Sequence, residues 1–583
     1  MSELIANKFG ELIGHVGSPS TTNEIKVNLE EYAYSKGLVG HFCIIPFVQD
    51  GKNHFSIGQI VSVQLRNPYL ERHSVEKIIA VRGEASPLTK EHDVINVILG
   101  PSSTYSVDED RITPSTMATV PSTGTPVYSL SQEIVNAISR SCGASIVYLG
   151  KMYNTNILLP MTFQHFGAKE EGGLGEGYHI GVFGKTGSGK SVLTRMIILS
   201  YARFPNMSIL CLDPTGEYAK EIKQKEVMFK ILKNILNRSF QVYGVSEISL
   251  TSTNSLRRIL LASAPDFLDF MGIRAEENRI NAANLIAEFF EANREIPLPT
   301  GQRIPSLPNA SEEFVFNQLL DYISRHINRI YVSQDAQNRV LSIINNRTQR
   351  RLLFQRWRSL ALLFDSRRIS IDKILSSICQ KREIIVIDLS ETSAEGVYWN
   401  ERVRAIVIDE ILNSLVNIAE ITWRESDRSV NALVVIDEAH RLAPRERSEI
   451  EELEKLKHTF IDSVRTTRKY GLGWMFVSQS LASLHLEILR QMRIYFFGYG
   501  LSWGSERYNL EELVGRGPQL ELYSNFKDPQ TSAILGKKEY PFMIYGPVSP
   551  LSISGNPIFF TALDYYTEFE KVNFKKSEGE HHD

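Results

Sequence analysis

Apolar positions in the first 150 residues fall in short or alternating runs, at 11–16, 40–47, 59–64, 77–81 and 94–99, divided by Gly, Pro, Asn and Asp. Short strands with frequent turn residues predict a small antiparallel barrel or sandwich. Residues 101–125 are rich in Ser, Thr and Pro, 131–141 have helical spacing and 146–149 are apolar, so this stretch reads as a connector. From Gly181 onward the pattern changes. Apolar blocks at 180–183, 208–212, 383–389, 432–436, 474–478 and 494–497 alternate with helical stretches, as in a parallel α/β sheet. Residues 251–380 keep helical periodicity with almost no strand signal, which predicts an inserted all-α subdomain broken near 297–301 and 305–308. No repeat of roughly 20 to 50 residues is visible, which disfavours a solenoid.

At 583 residues the chain is too long for one ordinary core, and its 43% hydrophobic content is that of a globular protein. A formal net charge of -3 argues against a protein that coats nucleic acid through overall basicity, but leaves room for a local basic lining. Cys43, Cys142, Cys211 and Cys379 are far apart with no C-x-x-C pattern, which disfavours a zinc ribbon or a disulfide framework and fits a reducing compartment. The start of the chain lacks a basic segment followed by an apolar run, and no uncharged stretch approaches the ~20 residues that span a bilayer. A soluble cytoplasmic protein without a membrane partner is expected. The last residues, 575–583, are polar and read as a frayed end.

The chemistry concentrates at a few strand ends. Gly184-Lys185-Thr186-Gly187-Ser188-Gly189-Lys190-Ser191 follows an apolar strand and opens a helix, the full G-x-x-x-x-G-K-[ST] pattern in its required context. Its glycines let backbone N–H groups converge on phosphate oxygens, Lys190 supplies a point charge and the Ser191 hydroxyl can ligate Mg²⁺. A second apolar run, Leu433 to Ile436, ends in Asp437-Glu438-Ala439-His440 and delivers two carboxylates to the edge of the sheet where ligands bind. Asp437 is expected to serve the metal and Glu438 the attacking water. His440 either contacts nucleotide or caps a turn. The strand at 208–212 leads into Asp213-Pro214-Thr215-Gly216-Glu217-Tyr218, where Asp213 and Glu217 face nucleotide or merely build a tight turn. Arg465 and Arg468 precede the strand that ends at Ser478-Gln479. The arginines read as a solvated helix end or as transition-state ligands for a neighbouring subunit, and Gln479 as a γ-phosphate sensor or a plain strand end. Two other charged stretches read more simply. Residues 345–358 interleave arginines with Phe354 and Trp357 and fit an amphipathic helix better than a nucleic-acid strand site, and 445–457 fit an exposed helix.

Taken together, Gly184 to Ser191, Asp213 to Tyr218, Ile387-Asp388-Leu389-Ser390, Asp437 to His440, Arg465 to Gly471 and Ser478-Gln479 resemble the HerA family of hexameric ATPases, related to FtsK-type DNA translocases. The resemblance implies an α/β fold: a RecA-like parallel-sheet P-loop ATPase core with a helical insertion, preceded by a small β-barrel. It divides the chain into a barrel with connector at 1–150, core at 151–250 and 381–545, insertion at 251–380 and a C-terminal extension at 546–583. It further implies ATP and Mg²⁺ as cofactors, a homohexamer with ATP at subunit boundaries, and double-stranded DNA in the channel. A separate effector chain, a nuclease or a Sir2-like NAD-consuming enzyme, would dock on the barrel face. In that scheme Lys190 and Ser191 bind phosphate and Mg²⁺, Asp437 and Glu438 serve metal and water, Gln479 senses nucleotide, and Arg465 or Arg468 acts in trans. The chain departs from relatives at Tyr178-His179, where they carry Arg-His, and at Gln491-Met492-Arg493, so contacts from those positions are not carried over. The motor reading competes with a scaffold reading, in which an ATP-controlled ring assembles and activates the effector without translocating. A protein unfoldase is disfavoured by the short segment after Pro541, and an ABC transporter by the lack of an LSGGQ-like signature.

Overall fold

The computed structural model describes residues 8–70, 79–83, 91–108, 111–141, 145–263, 267–292, 305–426, 428–536, 538–553 and 555–574. The N-terminal unit is a closed barrel. Strands Ile25–Leu29, Leu12–Val16, Pro126–Ser129, Phe42–Gln49, Lys52–Arg66 and Val94–Asp108 follow one another around it, and the first pairs with the last to close the ring. Closure removes the free edges that an open sheet of this size would present. The Ser- and Pro-rich stretch read as connector begins inside this barrel, because Val94–Asp108 runs straight through Pro101. Pro101 lies opposite Gly58, where the register of the pair shifts, and an irregularity of this kind spares the ladder a missing N–H. The run at 77–81, read as a strand, is helical from Ile79 to Arg82; its first two residues lie outside the described residues.

The second unit is built on an 11-stranded sheet. Seven parallel strands come first, in the order Phe240–Gly244, Ile384–Asp388, Ser208–Asp213, Ala432–Ile436, Leu472–Ser478, Ile180–Phe183 and Ile494–Gly498. The five from Ile384–Asp388 to Ile180–Phe183 are buried at every position, as expected where helices cover both faces. Four antiparallel strands extend the sheet: Pro541–Tyr545, Ile558–Ala562, Ile146–Met152 and Leu158–Thr162. The apolar 146–149 segment is therefore part of the sheet and not of a connector, and the C-terminal extension supplies a strand of its own.

Between Phe240–Gly244 and Ile384–Asp388 the chain makes the helical insertion, with helices Thr253–Ala262, Glu276–Ala292, Glu313–Arg325, Gln334–Asn345, Arg347–Ala361 and Ile371–Lys381. Asn346 starts one of them by accepting the N–H groups of Thr348 and Gln349 at 3.0 and 3.1 Å. On that helix Trp357 is fully buried among Phe267, Phe290 and Phe316, and its indole N–H donates to Ala310 O at 2.7 Å. Arg351, Arg356 and Arg358 stay on the exposed side, so the arginine and aromatic run is an amphipathic helix, with the buried Trp357 ring contributing roughly 2–3 kcal/mol. The stretch 445–457 is helical only from Glu451, and Lys457 is buried instead of exposed, with its ammonium on Glu454 at 2.7 Å and Glu446 O at 3.2 Å. Among the described residues no helix is long and apolar enough to cross a membrane.

Candidate nucleotide-hydrolysis site

The loop after strand Ile180–Phe183 is shaped by three glycines. Gly184, Gly187 and Gly189 have φ of +150°, +81° and +90°, a region that side-chain-bearing residues rarely adopt. A Cβ on Gly184 would stand 2.7 Å from the Ser188 hydroxyl, one on Gly187 2.6 Å from the Gln530 amide, and one on Gly189 2.6 Å from the Tyr540 ring. Lys185 and Thr186 are exposed, while Ser188 Oγ is buried without a partner among the described residues. Lys190 starts helix Lys190–Ala202 with its side chain buried, and its ammonium donates to Lys185 O at 3.1 Å. Burial pushes its pKa down, and the carboxylates of Glu438, Asp437 and Glu217 pull it back up. An orphaned hydroxyl, a buried ammonium and a glycine cradle are the features a bound polyphosphate would complete. Ser191, half-buried in the first turn, and Asp437 are the residues that would hold Mg²⁺.

The order of strands assembles the rest. Leu472–Ser478 lies between the phosphate-loop strand and Ala432–Ile436, with Ser478 opposite Phe183 and Phe476 opposite Ile436. Residues just beyond these three strands must meet at one edge. The Thr186 hydroxyl donates to Gln479 Oε1 at 2.8 Å, and Gln479 Nε2 donates to Glu438 Oε1 at 2.7 Å. A continuous hydrogen-bond chain thus joins the phosphate loop to the acid that would orient water. Glu438 sits at φ +49°, a left-handed conformation unusual for a residue with a side chain, and a 2.9 Å bond from its N–H to Asp437 Oδ1 helps to hold it there. His440 Nε2 lies 3.6 Å from the second Glu438 oxygen, while His440 Nδ1 is buried without a partner among the described residues. Burial lowers the His440 pKa, against the opposing pull of Glu438.

Asp437 is nearly inaccessible, and burial raises its pKa to about 7, with Glu438, Asp213 and Glu217 adding to the rise. A carboxyl whose folded pKa exceeds its unfolded value favours the folded state at low pH, and that contribution is lost as pH climbs from about 4 to 7. In chelator, Asp437→Asn is therefore expected to be more stable than the parent at pH 8, by at most about 4 kcal/mol. The difference should vanish near pH 4. Thermal melts across that range check this, and a variant less stable at pH 8 would contradict it.

Other expected site residues are placed differently. The Asp213 carboxylate is fully buried and accepts from Thr215 Oγ1 and from the N–H groups of Gly216, Glu217 and Ala219 at 2.8–3.2 Å. It builds the turn into helix Glu217–Lys223, which leaves its oxygens occupied. Glu217 is about half exposed on that helix's first turn, 3.7 Å from Arg195. Arg465 pairs with Glu487, and Arg468 donates to Glu176 at 2.8 Å. Both precede strand Leu472–Ser478, whose seven residues separate them from Gln479 by roughly 20 Å, so neither reaches the site of its own chain. His179 is buried: it accepts from the Trp474 N–H at 3.3 Å and donates from Nε2 to Val464 O at 2.9 Å, and burial lowers its pKa to about 4. It is a neutral strut. The contacts of Gln530 and Tyr540 with the loop were not visible in the sequence, since more than 300 residues separate them from it.

A phosphate loop, a carboxylate pair and a polar strand end on a RecA-like parallel sheet define a P-loop ATPase. Residues 177–413 match the family model for the central domain of helicase HerA. Residues 371–495 also match the model for zonular occludens toxin. No curated protein matches the chain. Among solved structures it is similar to VirB4 of Thermoanaerobacter pseudethanolicus, at 15% identity over 72% of this chain and 97% of that one, with a TM-score of 0.38. The genome packaging NTPase B204 of Sulfolobus turreted icosahedral virus 2, in complex with sulfate, matches at 10% identity over 67% and 98%, with a TM-score of 0.28. The pCW3 conjugation coupling protein TcpA, with ATPγS, matches at 11% identity over 90% of each chain, with a TM-score of 0.27.

Proposed function

We propose that this ATPase is a motor that moves double-stranded DNA through a homohexameric ring in the cytoplasm. A separate effector, a nuclease or a Sir2-like NAD-consuming enzyme, docks on its barrel face, and the output is DNA end processing or anti-phage defence. The core at 151–250 and 381–545 does the hydrolysis, the 251–380 insertion is carried on it, and the barrel is the docking domain. The observation that carries this reading is the chain from Thr186 through Gln479 to Glu438, with the arginines stranded at the far edge of the same strand. Bound Mg²⁺ would neutralise charge shared between the β- and γ-phosphates. Ser191 and Asp437 hold it, Lys190 binds phosphate, Glu438 orients water, and Gln479 reports the state of the loop to Glu438. Arg465 or Arg468 completes the site of the adjacent subunit, as an arginine supplied from outside can raise turnover about 10³-fold or more.

Subunit mixing tests the boundary. Lys190→Ala subunits keep their arginines but lose the loop, and Arg465→Ala/Arg468→Ala subunits do the reverse. Each alone is expected to be inactive, and an equal mixture to regain roughly a quarter of parental turnover, because half the loops are intact and half their neighbours carry arginines. A mixture as inactive as its parts would remove the trans role.

A further inference from the structure

The helical insertion holds a cavity of about 1090 Å³ that shares no residue with the hydrolysis site. Local chain geometry places it. Short strands Ile248–Ser249 and Ile369–Ser370 run parallel, with Ser249 opposite Ser370, and each leads into a helix, Thr253–Ala262 after the first and Ile371–Lys381 after the second. Both helices therefore begin at the cavity, and Arg367 and Arg368 line it just before the second strand.

The charge of the lining is one-sided. Its described residues include three cations, Arg367, Arg368 and Lys373, and no Asp or Glu. The Arg367 guanidinium is taken up by Asp365 at 2.5–3.2 Å, and Ser311 donates to the same carboxylate at 2.8 Å. Two neighbouring carboxylates are also engaged: Asp372 accepts from the Thr251 hydroxyl at 3.1 Å and Glu291 from the Thr253 hydroxyl at 2.7 Å. Arg368 and Lys373 are left over. Neither has a carboxylate within ion-pair distance among the described residues, and Arg368 Nη1 lies out of solvent without an acceptor there. A half-buried guanidinium without a counter-anion carries a desolvation cost that a bound anion would offset. Ser370 accepts the Lys373 N–H at 3.3 Å, which leaves its own O–H to donate. A guanidinium, an ammonium and a hydroxyl donating together suit a tetrahedral phosphate. The lining also has a large apolar share, from Leu250, Phe290, Leu307, Pro308, Phe364 and Ile369. An inorganic ion would leave most of this space empty, because the volume is at the upper end of sites for small organic ligands.

We infer that this cavity binds a small organic phosphate, with Arg368, Lys373 and Ser370 on the phosphate and the apolar lining around the organic body. The test is equilibrium titration of the full chain carrying Lys190→Ala, which disables the phosphate loop. AMP, phenyl phosphate, inorganic phosphate and a short single-stranded oligonucleotide are the probes. At least one of the two esters is expected to bind saturably and at least about tenfold tighter than inorganic phosphate. Added to that chain, Lys373→Ala and Arg368→Ala should each weaken the ester about tenfold or more. Lys373 is exposed and its side chain has no partner among the described residues, so Lys373→Ala reports on binding even where Arg368→Ala fails to fold. A preference for AMP would mark recognition of base and ribose, and equal affinity for the two esters recognition of phosphate and an apolar body alone. No saturable binding of either ester up to about 10 mM, binding no tighter than that of inorganic phosphate, or binding untouched by Lys373→Ala would overturn the site. Oligonucleotide binding that Lys373→Ala abolishes, with neither ester bound, would overturn it too and give the cavity to a nucleic-acid strand.

Discussion

Glu438→Gln should bind ATP as tightly as the parent and hydrolyse it at least about a hundredfold more slowly, since an oriented base contributes 10²–10⁴ in rate. The substitution keeps the size of the side chain and the oxygen that accepts from Gln479 Nε2 at 2.7 Å. It removes the charge that would orient and polarise water. The helix-opening geometry at φ +49° is supported by the bond from the Glu438 N–H to the Asp437 carboxylate and is expected to persist. Steady-state turnover together with equilibrium ATP binding checks both halves. Turnover within threefold of the parent would transfer the catalytic role elsewhere.

Lys190→Ala is expected to lose ATP binding by about a hundredfold, the worth of a buried charge-assisted contact, and with it all measurable turnover. Its effect on the nucleotide-free fold should be small, because the ammonium is already penalised by burial and, among the described residues, has a single carbonyl, Lys185 O, as hydrogen-bond acceptor. The two effects separate in a melting experiment. The parent should gain stability with added ATP, as any ligand of the native state produces, whereas Lys190→Ala should melt at the same temperature with and without it. A variant stabilised by ATP like the parent would deny the loop its assigned role.

Much of the site was legible in the sequence because strands in the parallel sheet end where their apolar runs end. Ile180–Phe183 and Ala432–Ile436 each deliver their polar residues immediately afterwards, so the loop and the Asp437-Glu438 pair could be read locally. What could not be read is adjacency. Gln479 meets both Thr186 and Glu438 only because Leu472–Ser478 is the strand between theirs, and strand order is decided by packing over hundreds of residues. The same limit hid the Tyr540 contact and the burial of Lys457. Phe240–Gly244 escaped notice because an edge strand carries only a partly apolar, half-buried pattern. Asp213 shows the opposite case, a residue whose motif suggested nucleotide while its local chemistry, Asp before Pro and Gly, already described the turn it makes.

The barrel and the sheet are joined by more than a linker. The Gln59 side chain in the barrel donates to Phe559 O at 3.1 Å and accepts from the Phe559 N–H at 2.8 Å, and Tyr105 O–H donates to Pro550 O. A C-terminal strand of the motor sheet is thus bonded to the barrel.

Displacement of a third strand from a DNA triplex by the purified protein measures most directly whether hydrolysis moves DNA. The parent with ATP and Mg²⁺ is expected to strip the third strand, while Glu438→Gln, still loaded with ATP, leaves it bound. A parent that hydrolyses ATP yet never displaces the strand, with Glu438→Gln activating the effector fully, would contradict the motor and leave a nucleotide-controlled scaffold.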